Sequence, residues 1–170
     1  PSLQVIGLRF EMSANSRVAH VTGAASLLTF TDCELAGKTS ATEIASVVTA
    51  YDEARVVFIN CVFTAFELPP DSAALALQNA VLLMMSCAAS GIAKNAFISA
   101  ARNTLVLDID TTFSLISGAN APVLTLDSSI WASWSSTFAG AGHGQQRVLT
   151  STDSMALLYG VQIHDMQWAG

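Results

Sequence analysis

Val56-Val57-Phe58-Ile59-Asn60-Cys61-Val62-Phe63 returns in recognisable form about every twenty-five residues. Before it stands Leu28-Thr29-Phe30-Thr31-Asp32-Cys33-Glu34-Leu35, and after it Leu82-Leu83-Met84-Met85-Ser86-Cys87-Ala88-Ala89. The three cysteines fall at matching places, Cys61 lying 28 residues beyond Cys33 and Cys87 a further 26 beyond Cys61. Phe113, Phe138 and Ile163 are 25 apart, as are Ile98, Val123 and Val148. A fixed period of this length marks a stacked solenoid in which each repeat touches only its neighbours.

The unit reads as strand, turn, strand. Leu27 to Leu35 is followed by Gly37-Lys38-Thr39-Ser40 and a second apolar run at Ile44 to Val48; Val56 to Phe63 is followed by Leu68-Pro69-Pro70-Asp71 and Ala74 to Leu77. Glycine supplies positive backbone dihedrals, proline fixes one dihedral, and Asp or Ser bonds the local backbone, so these are turns with a mechanism. A coil of this length has no room for a helix of ten residues beside its strands. The expected fold is therefore all-β: a parallel β-helix of about six to seven coils, one domain over residues 1–170, as a piece of a longer fibre or a subunit of an assembly. In such a solenoid like residues stack on like one coil away, about 4.8 Å on. Phe30, Phe58 and Met84 form one expected interior ladder, and Cys33, Cys61 and Cys87 another.

Composition agrees with a dry interior. Of 170 residues, 52% are hydrophobic and 12% charged, and 7 basic residues against 13 acidic ones give a net charge of -6. Without a basic cluster, nucleic acid is not an expected partner. Residues 72–93 carry no charge and are long enough to be scored as a membrane helix. Gln78-Asn79, Ser86 and Ser90-Gly91 interrupt them, and their apolar residues keep the register of the flanking repeats, so no membrane span is expected.

The Phe-x-x-Cys-x-(Phe/Leu) signature at Phe30 to Leu35 and Phe58 to Phe63, together with the period, resembles the right-handed parallel β-helices that include pectate lyases, polygalacturonases and phage tailspikes. Right-handed winding is what that resemblance implies. From the fifth coil the pattern departs, Thr111 and Ser136 standing where cysteine stood.

Few residues offer chemistry. The cysteines are expected to be free, buried and small apolar fillers, since no CxxC or Cys-His spacing supports zinc. Asp108 and Asp110, two apart on a strand, are expected to project from one solvated face about 7 Å apart, the arrangement of a carboxylate pair for glycoside hydrolysis or calcium binding. Gly142-His143-Gly144 matches a tripeptide of polygalacturonase-like enzymes, which the resemblance would make a site with Asp108 and Asp110. The family's Asn-Thr-Asp, Asp-Asp and Arg-x-Lys motifs are absent. Period-two alternation sets Trp134 with Ile130 and Ala132, in the core, and turns Trp131 outward to meet a glycan or a partner subunit.

The charged residues are too scattered to build an active cleft, and Val57, Ile59 and Val62 are outward apolar residues that an isolated β-helix would not need. A noncatalytic structural module of a viral, tailspike-like or extracellular assembly is the expectation, homotrimeric and able to bind polysaccharide, without cofactor. The alternatives are a polysaccharide lyase or glycoside hydrolase, which under the lyase chemistry would use calcium, and an intracellular cytoskeletal or ciliary scaffold.

Overall fold

The computed structural model describes residues 1–12, 17–37, 46–68, 73–93, 96–116, 122–140 and 147–166. The chain winds as a parallel β-solenoid with three strands per coil. The first coil holds β1 (Ser2–Ile6), β2 (Arg9–Glu11) and β3 (Ala19–Thr22), and the second β4 (Leu27–Thr31), β5 (Glu34–Ala36) and β6 (Val48–Tyr51). Next come β7 (Arg55–Ile59), β8 (Val62–Leu68) and β9 (Leu75–Gln78), then β10 (Val81–Met85), β11 (Ala88–Ala93) and β12 (Ile98–Ala101). They are followed by β13 (Leu105–Ile109), β14 (Thr112–Ile116) and β15 (Leu124–Asp127), then β16 (Ile130–Trp134), β17 (Thr137–Ala139) and β18 (Leu149–Thr152), and finally β19 (Met155–Tyr159) and β20 (Gln162–His164). The first strands of the coils make a seven-stranded sheet A, the second strands a seven-stranded sheet B, and the third strands a six-stranded sheet C.

The two-strand unit expected from the sequence is thus a three-strand unit. Each apolar run that reads as one strand bends in the middle, and the residue at the bend takes a left-handed backbone. Gly7, Asp32, Asn60, Ser86, Asp110, Ser135 and Gly160 occupy this corner with φ between 50° and 64°. Gly, Asn and Asp tolerate that region best, which is why they recur there. Successive corners bond to one another: Asn60 Nδ2 donates to Asp32 Oδ1. Asn60→Val places a β-branched side chain at φ 52° and removes that bond, and is expected to cost about 2 kcal/mol in chemical denaturation. No change would mean that the chain does not bend there.

Inward residues stack in register. Leu28, Val56, Leu82, Val106 and Trp131 form one column of sheet A, and Phe30, Phe58, Met84, Asp108 and Ser133 the next. Sheet B contributes Leu35, Phe63, Ala89, Phe113 and Phe138, and sheet C contributes Val48, Leu75, Ile98, Leu124 and Leu149. All of these except Asp108 and Ser133 belong to one apolar core. Phe30 stacks on Phe58 with ring centroids 5.0 Å apart, Phe63 meets the edge of Phe58, and Phe113 stacks on Phe138 at 4.8 Å.

The interior changes character along the axis. In the early coils the corners are filled by Ala54, Ala80 and the three cysteines, all buried. In the later coils Thr104, Ser129, Thr111 and Ser136 take those places, also buried. Their hydroxyls bond the backbone: Thr104 Oγ1 donates to the Ala101 carbonyl at 2.6 Å, Ser129 Oγ to that of Asp127 at 2.8 Å, and Thr111 Oγ1 to that of Ile109 at 3.1 Å. Each buried hydroxyl is thereby satisfied, which removes the penalty of desolvating it.

Candidate functional site

Among the described residues, those singled out from the sequence do not assemble into a reactive centre. Asp108 and Asp110 do not share a face. Asp108 points into the core and is fully buried, because its parity on β13 is that of Val106. Asp110 lies beyond the strand, exposed at the left-handed corner. His143 and its flanking glycines lie outside the described residues.

Trp131 is also fully buried, and Trp134 is the exposed tryptophan of the pair. This reverses the expectation from the sequence and takes Trp131 out of reach of any glycan or partner surface. The indole closes a polar knot inside the core: Trp131 Nε1 donates to Asp108 Oδ2, and Ser133 Oγ donates to Asp108 Oδ1 at 2.6 Å. Burial pushes the Asp108 carboxyl above the ordinary carboxylate range, while the hydrogen bonds from Ser133, Trp131 and Ser136 pull it back. Across the window between the ordinary and the raised pKa, the folded chain keeps a proton that the unfolded chain has lost. Stability therefore falls as pH rises through that window, at a limiting slope of about 1.4 kcal/mol per pH unit. Asp108→Asn keeps an acceptor for Trp131 and a group for Ser133, and is expected to abolish that slope and stabilise the fold near neutral pH. A pH titration of the unfolding free energy in which the slope persists would contradict this.

The cysteines are free and buried. Each thiol bonds the carbonyl two residues before it and one in the coil below: Cys61 Sγ lies 3.3 Å from the Ile59 oxygen and 3.5 Å from that of Phe30, and Cys87 Sγ lies 3.3 Å from Met85 O and 3.5 Å from Phe58 O. The neighbouring Cys87 thiol and burial push the Cys61 thiol well above its ordinary range, so it supplies no thiolate at neutral pH. Among the described residues no three His, Cys, Asp or Glu side chains group so as to hold a metal ion.

Hollows open among the described residues. One, of about 700 Å³, opens beside β1 and β3 and is lined by core residues such as Val5, Phe10, Val21 and Phe30. His20 is the ionisable side chain on its wall, and its Nδ1 is engaged with Thr49 Oγ1 at 2.7 Å. Another, of about 510 Å³, runs along Thr104, Ser129 and Ser154, whose hydroxyls are spent on the backbone. The first presents no converging set of polar groups of the kind that fixes a small ligand; Asn103, Ser128 and Asp153 also line the second, where Ser128 Oγ donates to Asp127 Oδ1.

The outer face of sheet A is different. From β7 onward its outward residues stack in three columns: Arg55, Val81, Leu105, Ile130 and Met155; Val57, Leu83, Leu107, Ala132 and Leu157; and Ile59, Met85, Ile109, Trp134 and Tyr159; the first two coils continue them with Ser2 and Leu27, Gln4 and Thr29, and Ile6 and Thr31. Fourteen of the fifteen residues from β7 onward are apolar or aromatic. At Trp134 and Tyr159 the exposure reaches 56% and 64%, and the two rings lie 4.5 Å apart. Sheets B and C carry the ordinary pattern of a solvated antipode, with outward Thr112, Ser114 and Gln162 on one, and Thr125, Thr150 and Asp127 on the other. Flat, apolar strands facing water on one sheet only are what mark a contact surface.

No family model, curated protein or solved structure matches this chain. The face itself therefore has to carry the functional argument. Val57 and Ile59, singled out from the sequence as outward apolar residues, lie on it, whereas Val62 belongs to sheet B. Sequence reasoning missed its extent, although every coil from the third onward repeats apolar residues at the same three offsets from its corner, Arg55 alone excepted.

Proposed function

We propose that this chain is a noncatalytic structural module of a larger assembly, a rigid solenoid whose sheet A face is covered by another protein surface. The observation that carries the reading is the contrast between the three outer faces: A is apolar from the third coil onward, while B and C are mostly polar. A lone solenoid gains nothing from exposing such a face and risks aggregation. The burial of Asp108 and its separation from Asp110 leave a hydrolase or lyase without its carboxylate pair, so the polysaccharide-cleaving alternative loses the residues it would use. The coil pattern's resemblance to tailspike shafts favours a virion or extracellular setting and a homo-oligomer.

The test is light scattering across a concentration series, with a panel of polysaccharides assayed on the same peak. A multiple of 17.8 kDa without turnover is expected. A monomer that cleaves a polysaccharide would overturn the proposal.

A further inference from the structure

The structure assigns an occupant to the sheet A face: a second copy of this chain, packed face to face on the same columns. This rests on the assembly reading and goes further by naming the partner and the surface.

The first argument is area. The apolar columns run over the five strands from β7 to β19; about 4.8 Å apart, each five residues of about 3.3 Å, these give a footprint of roughly 400 Å². Two such faces together bury about 800 Å² before side-chain relief is counted, short of the about 1,200 Å² at which stable specific interfaces begin and within the range of weaker pairs. One face-to-face copy is therefore enough for a concentration-dependent pair.

Charge is the second. The chain carries a net charge of -6, which repels a second copy wherever charges meet. On this face the strands from β7 onward offer a single charge, Arg55. The repulsion is thus kept off the one surface where two copies would touch, and the face holds no charge pattern that would select an acidic or basic partner instead.

Third, the border is polar. Asp32, Asn60, Ser86, Asp110 and Ser135 stand exposed along one edge, giving an apolar centre with a polar rim, the anatomy of a protein interface. A twofold contact requires each patch to complement itself. Columns that are apolar throughout meet that requirement, and two twisted sheets pack at about 10 Å with their strands about 30° apart. The tailspike-like resemblance implies three copies about an axis, whereas a single flat face fits two.

The experiment compares the wild-type chain with Leu83→Lys/Leu107→Lys and with Leu83→Ser/Leu107→Ser on the sheet A face, using Thr112→Lys/Ser114→Lys on the sheet B face as control. Circular dichroism checks folding, and light scattering from low to high micromolar concentration reads the mass. The wild type and the sheet B control are expected to approach twice the monomer mass as the concentration rises. The lysine pair is expected to weaken association at least 100-fold, and the serine pair about 10-fold while folding normally. Association that survives both sheet A pairs would overturn this inference and leave the assembly reading standing on some other surface. A mass of three copies sensitive to the sheet A pairs would overturn the two-copy geometry. A wild type that stays monomeric throughout would overturn both the inference and the homo-oligomeric reading.

Discussion

Replacement of Trp131 by alanine is expected to lower the unfolding free energy by about 5 kcal/mol. Truncating a fully buried aromatic costs about 3–5 kcal/mol through lost transfer energy and the cavity left behind. Here a second loss is added, because Asp108 would forfeit the Trp131 Nε1 donor while remaining sealed in the core, which costs about 1–3 kcal/mol for a buried polar group. The indole also meets the edge of Phe138 with ring centroids 5.6 Å apart, so the cavity cannot collapse without disturbing sheet B. Trp131→Phe separates the two contributions: it keeps most of the apolar volume and loses the donor, and is expected to cost about 2 kcal/mol. Equilibrium denaturation followed by circular dichroism reads both. If Trp131 faced solvent, both changes would stay within about 0.5 kcal/mol, as surface substitutions do.

Phe58→Ala should rank next, at about 4 kcal/mol. Phe58 is fully buried and lies at the centre of an aromatic group, stacked on Phe30 and edge-on to Phe63, with both centroids 5.0 Å away. Such pairs add about 0.5–1.5 kcal/mol beyond the area they bury. Phe58 and Trp131 sit three coils apart, about 14 Å along the axis. Their effects should therefore add within about 0.5 kcal/mol, as distant sites do, whereas Phe58→Ala and Phe63→Ala share a cavity and should not. A strong coupling between Phe58 and Trp131 would mean that the coils do not stack in the order described.

The period, the all-β class and the parallel stacking were legible because Phe, Cys and Leu return at fixed intervals and nothing in the chain offers helical spacing. The division of each first run into a sheet A strand and a sheet B strand was not. A strand bent through a left-handed corner keeps its apolar residues on both sides of the bend, so Leu27 to Leu35 reads as one run. The inversion of Trp131 and Trp134 has a physical cause too. Alternation assigns faces only when one face is polar, and on sheet A both are apolar: Val106 and Asp108 point in, while Leu105, Leu107 and Ile109 point out. Asp108 seemed to mark the wet side and in fact marks the dry one. The corner residues held the missing information. Counting back five and three positions from Cys33, Cys61, Cys87, Thr111 and Ser136 gives Leu28 and Phe30, Val56 and Phe58, Leu82 and Met84, Val106 and Asp108, and finally Trp131 and Ser133, the inward set throughout. The two-sided apolarity that confounded the parity of sheet A is the same property that makes its outer face the candidate site.

Met84 and Met85 are adjacent in sequence and opposite in role, Met84 fully buried beneath the Phe58 ring position and Met85 on the outer face. Hydroxyl-radical footprinting of the native chain at increasing protein concentration therefore tests fold and surface together. Met84 and Trp131 are expected to resist oxidation at every concentration, while Met85, Trp134 and Tyr159 react in dilute solution and become protected as copies associate. Oxidation of Met84 alongside Met85, or reactivity at Trp134 and Tyr159 that never changes with concentration, would contradict the account.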